Sequence, residues 1–328
     1  MELIRKYVSY VRDIRRYSPR TSQIYEDVLR RYVLYASDGC ESVSDEKLLS
    51  FLNHSQIRSY VVSLLDDHSS RTVNLHLSSL SGFCRYLIKE GIITTNPVKL
   101  VTKPKVEKRL PSFFRKDVMD AYFFRTEICD YQMFLDHLQS LSDQKAIKDR
   151  YESLLDRLII SLLYNLGLRR SELISMNVKD VDFSRRTVKI VGKGNKMREI
   201  PLLGALCEEI LLYLKAVEVM EKRQRSLTEP LLVTFTGRRI YPVYVDRVVK
   251  KELSSDSRAT GRKSPHVLRH SLATDLLDEG GDLNSIKELL GHSSLAATQV
   301  YTHNSIAKLK NIYKSAHPRA KNGGKYGD

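Results

Sequence analysis

Apolar residues recur at helical spacing along most of this chain, and the period changes to that of a β-strand in one place. The clearest helical stripe in the first hundred residues consists of Val73, Leu77, Leu80, Cys84 and Leu87. Such a stripe predicts an amphipathic helix that ends near Gly91. Alternating runs on either side of the turn at residues 192–195 predict a β-hairpin. The chain is therefore expected to be mainly α-helical with a small antiparallel β-sheet.

The length of 328 residues suggests two domains. In the first region, Ser18 and Pro19 form an N-cap and a first helical turn, and Asn96-Pro97 later interrupts the helical pattern. Further helices are predicted over residues 55–65, 116–126, 131–138 and 149–166. The expected division is a helical domain over residues 1–100, a basic linker over 101–115, a larger domain over 116–320 and a disordered tail over 321–328.

The charge balance limits the class of partner. Lysines and arginines number 54 against 39 aspartates and glutamates, which gives a net charge of +15. This surplus favours nucleic acid or an acidic membrane surface, although a merely basic soluble protein would show it too. The most apolar stretch, residues 158–168, is too short to span a membrane, and the first residues lack a signal-peptide core. We therefore expect a cytoplasmic protein with no membrane partner and four buried free cysteines.

The predicted linker is strongly basic. Its cationic side chains are Lys103, Lys105, Lys108, Arg109 and Arg115, and Glu107 is the only acidic residue among them. Such a segment can be a solvated linker or a basic strap along DNA phosphates, and the two interpretations are compatible.

One segment combines a helix start with two side chains that suit a phosphate. Ser264 can cap the helix, and Pro265 suits its first turn. His266 and Arg269 are three residues apart and share one helix face, where they can cradle an anion, although a capped surface helix is the simpler alternative. His266 and His270 have a spacing that can bind metal. No acidic residue completes a His-Glu-x-x-His pattern, so no metal site is predicted.

A second pair of candidates, His292 and Tyr301, lies near the C-terminus. Gly291 is expected to close one helix, and Ser293 or Ser294 is expected to start the next. Tyr301 follows about two helical turns further on. Since the chain has 18 tyrosines, only the spacing from His292 distinguishes Tyr301 from a packing residue.

Two further motifs precede these in the chain. Arg169 begins a short predicted helix, and Glu172 can orient its guanidinium, although a surface ion pair at this spacing would contribute little. Lys193 and Lys196 lie in the hairpin turn, whose glycines allow a close approach to a phosphate backbone. The turn lacks the spacing of a nucleotide-binding loop.

Together the motifs supply a set of six candidate catalytic residues: Arg169, Lys193, His266, Arg269, His292 and Tyr301. Cleavage of a phosphodiester requires positive groups around the phosphate, an acid for the leaving oxygen and a nucleophile. The set therefore predicts an enzyme that cuts and rejoins DNA.

The motifs also occur in the order typical of tyrosine site-specific recombinases. Four segments resemble the Xer branch of that family in particular: LGLRRSEL, GKGNKMREIPL, HVLRHSLAT and LLGHSSLAATQVYTH. The N-terminal half is similar to that branch in YSPRTSQIYEDVLRRY and NPVKLVTKPKVEKRLP, so the resemblance covers nearly the whole chain. It implies a helical, SAM-like core-DNA-binding domain over residues 1–100 and a catalytic domain over 116–320. The polar stretch 127–150 departs from the family and is expected to lie outside the active site.

The resemblance implies a role for each candidate. Tyr301 would attack the scissile phosphorus and form a covalent 3′-phosphotyrosine, while His266 takes the phenol proton. His292 would bond a phosphate oxygen, and Lys193 would protonate the leaving 5′-oxygen.

The arginines would act on the phosphate itself. Arg169 and Arg269 would clamp the non-bridging oxygens, and Glu172 would support the site by orienting Arg169. These cationic side chains replace a metal ion, so neither a metal nor another cofactor is expected.

The implied partner is double-stranded DNA that carries a specific recombination site. The expected DNA-binding residues are Lys103, Lys105, Lys108, Arg109 and Lys196. A tetrameric synapse is expected, either of identical chains or with a second recombinase, and a septal DNA translocase is a further candidate partner. A helix over residues 305–316 would dock on a neighbouring protomer or on its own domain.

Several functions share this chemistry. Xer-like chromosome dimer resolution, mobile-element integration and DNA inversion stay open at this stage. A type IB topoisomerase uses related residues, but the Xer-like N-terminal domain argues against it. A non-catalytic DNA-binding regulator is a remote alternative, because all six candidate residues are present.

Overall fold

The computed structural model describes residues 1–106, 112–192, 196–259 and 261–291. The chain divides into two compact units, Met1–Arg109 and Leu110–Asp328, and each unit has its own hydrophobic core. This division falls inside the predicted basic linker. The described residues are mainly helical, with a small antiparallel sheet in the second unit, which confirms the predicted fold class. The predicted tail and the helix predicted over 305–316 lie outside the described residues.

The first unit is built from helices, and one of them starts at a predicted N-cap. Its helices are α1 (Glu2–Ser9), α2 (Pro19–Ala36), α3 (Asp45–Phe51), α4 (His54–Asp67) and α5 (Ser70–Lys89). A π-helical turn (Tyr10–Ile14) continues α1, and a 3-10 helix (Pro97–Leu100) follows α5. The Ser18 hydroxyl accepts a hydrogen bond from the Thr21 amide at 3.2 Å, and Pro19 takes the first position of α2. The predicted start of α2 is thereby confirmed.

Helix α5 contains the predicted apolar stripe. All five of its members are at most 1% exposed and lie in the core of the first unit. Asn96 then starts the 3-10 helix, because its side-chain oxygen accepts a hydrogen bond from the Val98 amide at 3.1 Å.

The beginning of the predicted linker packs on the first unit. Val101 is buried in that unit's core, and the Asn74 side chain donates a hydrogen bond to the Pro104 carbonyl at 2.9 Å. Lys103 and Lys105 are exposed on either side of Pro104. Arg115, at the end of the predicted linker, is also exposed and pairs with Asp117. The remaining two predicted linker cations, Lys108 and Arg109, lie outside the described residues.

The second unit is organised around one long central helix. Its helices are α6 (Lys116–Arg125), α7 (Tyr131–Ser140), α8 (Gln144–Asn165), α9 (Arg170–Ser175), α10 (Gly204–Glu221), α11 (Pro242–Ser254), α12 (Pro265–Asp278) and α13 (Leu283–Leu290). The C-terminal half of α8 is buried, and α10, α11 and α12 pack against it. Helix α8 starts at Gln144, earlier than predicted, because the Asp143 carboxylate accepts a hydrogen bond from the Ala146 amide at 2.9 Å and caps it.

Helix α7 accounts for much of the polar stretch at residues 127–150. Phe134, Leu135 and Leu138 on this helix are buried in the core of the second unit. The helix packs against α8 and α10. The stretch therefore contributes to the core despite its polar composition.

The small sheet has the strand order β1-β2-β3, with antiparallel pairing throughout. Its strands are β1 (Val181–Asp182), β2 (Thr187–Val191) and β3 (Met197–Pro201). The predicted hairpin is therefore confirmed. Strand β1 was not predicted, because two residues are too few to show an alternating pattern. Within the hairpin, Val188 pairs with Ile200 and Ile190 pairs with Arg198, and all four side chains are buried.

Two local expectations are wrong. The four cysteines are free, but Cys40 and Cys129 are exposed because they lie in connecting segments, whereas Cys84 and Cys207 are buried. Ser264 precedes α12, but its side chain makes no capping hydrogen bond, and Pro265 alone marks the helix start. In the part of the chain that the structure describes, no helix is long and apolar enough to cross a membrane.

Candidate active site

Arg169 is held at the start of α9 by a carboxylate. The Glu172 side chain accepts a hydrogen bond from the Arg169 backbone amide at 2.9 Å and another from Arg169 Nη1 at 2.7 Å. Glu172 is 3% exposed and the Arg169 side chain 30% exposed, so the pair is half-buried and differs from the weak surface pair that the spacing alone allowed. The adjacent Arg170 pairs with Asp246 on α11 instead.

Arg198, on β3, is a second partner of Glu172 that the motif spacing did not predict. Its Nη1 and Nη2 donate to the two Glu172 oxygens at 2.9 and 2.8 Å, and Arg198 is 5% exposed. Burial alone would raise the pKa of Glu172. Hydrogen bonds and charge from Arg198, together with those from Arg169, outweigh burial and lower this pKa to about 2.

The sequence did contain a signal for Arg198. Residues 198 and 200 point to the same face of β3, and Ile200 on that face is apolar. An arginine at a core-facing position of a hairpin needs a buried anionic partner. The alternation of the strand is therefore enough to mark Arg198 as unusual.

Three arginines bind the last carbonyls of α13. Arg198 Nε donates to the Leu289 carbonyl at 2.9 Å, and Arg169 Nη2 donates to the Gly291 carbonyl at 2.7 Å. Arg269 binds the Leu290 carbonyl between them. Cations are favoured at a helix C-terminus, where the terminal carbonyls otherwise have no intrahelical partner. Gly291 closes the helix in the left-handed conformation, with φ of 64°, as predicted.

Arg269 and His266 lie one turn apart on α12 but differ in burial. Arg269 is 5% exposed and also donates to the Gly167 carbonyl at 2.5 Å. Burial, followed by the charge of Arg169, lowers the pKa of Arg269 to about 10, so it is still charged at neutral pH. His266 is exposed, yet partial loss of hydration and then the charge of Arg269 lower its pKa. His266 is thus mainly neutral at pH 7 and can accept a proton.

Lys193, His292 and Tyr301 lie outside the described residues, but two of their sequence neighbours are described. A Cβ built on Gly192 would lie 3.6 Å from Glu172 Oε1 and 3.7 Å from Arg198 Nη1. Gly192, which precedes Lys193 in sequence, therefore lies beside the Glu172 carboxylate, and the carbonyl of Gly291, which precedes His292, is bound by Arg169. Lys196 is exposed, and its carbonyl accepts a hydrogen bond from the Gly192 amide at 2.8 Å.

The arginine side chains that meet at this site can bind an anion. Arg169 and Arg269 are close enough for the charge of one to shift the pKa of the other, and Glu172 fixes one of them. Among residues 1–106, 112–192, 196–259 and 261–291, no cluster of three or more His, Cys, Asp or Glu side chains could hold a metal ion. Paired guanidinia of this kind can bind two oxygens of one phosphate.

Comparison with known families identifies the class of enzyme. The sequence model of the phage integrase family matches residues 134–308, and that of the phage integrase N-terminal SAM-like domain matches residues 4–91. With the fold and the arginine site, these matches show a tyrosine recombinase that cleaves and rejoins DNA strands at specific sites. The chain belongs to the phage integrase family.

Individual relatives show to which branch of the family the chain belongs. The chain is 33% identical to tyrosine recombinase XerC of Chlorobaculum parvum, across 96% of this chain and 94% of the relative. It is 34% identical to tyrosine recombinase XerC of Listeria monocytogenes serotype 4a, across 97% and 98%. The branch is therefore Xer-like.

Solved structures share the fold. The XerH recombinase bound to a palindromic difH substrate in a post-cleavage complex matches with a TM-score of 0.59 and 20% identity, over 89% of this chain and 79% of that one. A lambda integrase dimer bound to a COC′ core site matches with a TM-score of 0.56 and 17% identity, over 92% and 98%.

Proposed function

We propose that this chain is a XerC-like recombinase that exchanges strands at one specific site in duplex DNA, with chromosome dimer resolution as its cellular task. One observation supports the assignment of its active site above all others. Arg169 and Arg269 converge on the carbonyls of Gly291 and Leu290, immediately before His292 in the chain. The XerC relatives match this chain along nearly its whole length, which supports the choice among the possible tasks.

In the proposed reaction Tyr301 is the nucleophile. Its phenolate attacks the scissile phosphorus and forms a 3′-phosphotyrosine while the 5′-oxygen leaves. A phenol titrates near pH ~10 in water, so a base is needed, and His266 with its lowered pKa suits that role. His292 bonds a phosphate oxygen. The 5′-hydroxyl of the partner strand then attacks the phosphotyrosine and releases Tyr301.

The cationic groups stabilise charge and supply a proton. Lys193 protonates the leaving 5′-oxygen, which is a poorer leaving group than a phenolate. Arg169 and Arg269 bind the two non-bridging oxygens, where charge builds in the transition state. Glu172, ionised and buried, keeps the Arg169 guanidinium in one orientation.

The proposed assembly is two protomers on one site and four in a synapse, in the cytoplasm. The protomers are identical, or a second recombinase takes half of the positions, and a septal DNA translocase controls the exchange. The proposed DNA-binding residues outside the active site are Lys103, Lys105, Lys108, Arg109 and Lys196. Exposure of Lys103, Lys105 and Lys196 supports this role.

The nucleophile is tested by replacing Tyr301 with phenylalanine. Tyr301→Phe is expected to bind the recombination site with unchanged affinity but to form no covalent protein–DNA adduct in a denaturing gel. Tyr241→Phe, at an exposed tyrosine that precedes α11, is the matched control and should form the adduct at the wild-type level. An adduct that persists in Tyr301→Phe would rule out the assignment.

The general acid is tested with a substrate that needs none. Lys193→Ala is expected to lose cleavage of ordinary DNA by about a hundredfold or more and to recover on a 5′-phosphorothiolate, whose sulfur leaves without protonation. Lys189→Ala, at an exposed lysine of β2 in the same hairpin, should cleave both substrates normally. Equal loss on both substrates would exclude Lys193 as the acid.

A further inference from the structure

We propose that Arg198 is a positioning residue for strand cleavage, which acts on the scissile phosphate through Glu172 and Arg169. The inference deepens the proposed function and rests on it. Arg198 has no assigned part in the reaction steps above. Its contacts nevertheless join the arginine motif, the hairpin and the end of α13 in one place.

The first step of the argument is the saturation of the Glu172 carboxylate. Oε1 accepts from Arg169 Nη1 at 2.7 Å and from Arg198 Nη1 at 2.9 Å. Oε2 accepts from the Arg169 amide at 2.9 Å and from Arg198 Nη2 at 2.8 Å. Rotation of the carboxylate would break bonds to both arginines. The bidentate Arg198 therefore fixes the plane in which Glu172 presents its oxygen to Arg169.

The second step is the contact between Arg198 and the turn that precedes His292. Arg198 Nε donates to the Leu289 carbonyl at 2.9 Å. A Cβ on Gly291 would lie 3.1 Å from Arg198 Nη1 and 3.4 Å from its Cζ, so the guanidinium packs against this glycine. The same guanidinium thus contacts both the carboxylate that orients Arg169 and the Gly291 turn that ends α13.

A lysine could not replace these contacts. Arg198 uses three nitrogens of one planar group to bind two carboxylate oxygens and one carbonyl. A lysine ammonium is a point charge on a flexible stem and cannot hold the fork geometry. Arg198→Lys would keep the buried positive charge, so it separates loss of positioning from loss of charge.

The same unit provides a matched control. Arg157 on α8 forms a buried pair with Glu209 on α10 at 2.9 Å, and their side chains are 7% and 6% exposed. Its other hydrogen-bond acceptors are the Phe123 carbonyl and Thr126, which lie away from the site residues in sequence and element. Arg157→Lys should disturb a buried arginine–glutamate pair without changing the orientation of Arg169.

The experiment uses the full-length chain and two suicide substrates. One has an ordinary scissile phosphate, and the other has a methylphosphonate there, which lacks one negatively charged oxygen. Single-turnover strand cleavage is measured per DNA-bound, folded molecule for wild type, Arg198→Lys, Arg198→Ala, Arg157→Lys and Tyr301→Phe. The Lys variant decides the outcome if the Ala variant does not fold.

Arg198→Lys is expected to cleave the phosphate about tenfold to a hundredfold more slowly than wild type, because Arg169 stabilises the developing charge less well. On the methylphosphonate it is expected to fall within about threefold of wild type, since less charge must be neutralised. Arg157→Lys should match wild type on both substrates.

Two results would overturn the inference: Arg198→Lys cleaves the phosphate at the wild-type rate, or it is slowed equally on both substrates. Either result leaves the proposed function intact if Tyr301→Phe is inactive. Cleavage by Tyr301→Phe would instead refute the proposed function, whatever Arg198→Lys does.

Discussion

At the scale of single residues, Glu172 shows how burial and ionisation are reconciled at this site. A carboxylate that is 3% exposed would normally take up a proton. Two guanidinia donate to it instead, and the pKa of Glu172 falls to about 2. The carboxylate therefore stays charged at neutral pH and well below it, and it keeps its hydrogen bonds to Arg169 over that range.

Stability should depend on this charge in a defined pH range. A pKa lowered from 4.5 to about 2 corresponds to about 3 kcal/mol of stability. Because the folded-state pKa is the lower one, this stability is fully present above pH 4.5 and is lost as the pH falls toward 2. The free energy of unfolding of Glu172→Gln, measured in urea at pH 7, should therefore be about 3 kcal/mol lower than that of wild type. At pH 3 the difference between the two proteins should be smaller. Glu41→Gln, at an exposed glutamate, is the control and should show little change at either pH. A difference for Glu172→Gln that is the same at pH 7 and pH 3 would contradict the prediction.

One contact of the candidate site could be predicted from the sequence because its two residues are close together in the chain. Arg169 and Glu172 are three residues apart, so their contact follows from helix geometry. Arg198 is far from both in sequence, and only the pairing of β2 with β3 and the packing of α13 bring it to Glu172. Spacing within one element could not reveal that contact, although strand alternation marks Arg198 as unusual.

At the scale of elements, two left-handed glycines lie at helix ends next to the site arginines. Gly167 follows α8 with φ of 58°, and Gly291 ends α13 with φ of 64°. The carbonyl of each accepts a hydrogen bond from a proposed catalytic arginine: Arg269 binds Gly167, and Arg169 binds Gly291. Each of these two turns is therefore tied to one of the two arginines.

Gly167 should not tolerate a side chain. A Cβ there would lie 2.5 Å from Leu290 Cδ2 and 3.0 Å from Leu272 Cδ2, both in the core of the second unit. Gly167→Ala is expected to destabilise that unit by about 2–4 kcal/mol, from overpacking and backbone strain together. Urea unfolding followed by circular dichroism measures the loss.

Gly91 provides the control for backbone strain alone. Its φ is 71°, and a Cβ there would meet no heavy atom of the described residues within 4 Å. Gly91→Ala should therefore cost only about 1 kcal/mol. Equal losses in the two variants would show that packing at Gly167 has no part in the effect.

Elements whose apolar residues recur with a clear period could be predicted from the sequence. A very short strand and a helix start that is set by one capping residue could not. The stripe of α5 and the alternation of the hairpin each extend over several repeats, so their periods are distinct. Strand β1 has two residues, and the early start of α8 depends on the Asp143 cap. Such features depend on single hydrogen bonds and partners elsewhere in the chain, which a hydrophobic pattern does not contain.

At the scale of the whole molecule, the positive charge is distributed over both units. The net charge is +15, and Arg169 and Arg269 account for little of it. The rest is available to bind DNA phosphates outside the active site, with release of counterions. The affinity for DNA should therefore fall steeply as the salt concentration rises. The slope of this fall is set by the number of phosphate contacts.

Lys103 and Lys105 are exposed cations in the proposed DNA-binding set, and each is proposed to contact one phosphate. Loss of one such contact changes the slope of log affinity against log salt concentration by about 0.9. Lys103→Ala and Lys105→Ala, each alone, should therefore bind duplex DNA with a slope smaller by about 0.9 than that of wild type, whatever the DNA sequence. Lys145→Ala, at an exposed lysine on α8, removes the same charge from a place outside the proposed DNA-binding set and should leave the slope unchanged. If all three variants reduce affinity alike and keep the wild-type slope, the lysines act only through net charge, and the linker is a solvated connection that makes no phosphate contacts.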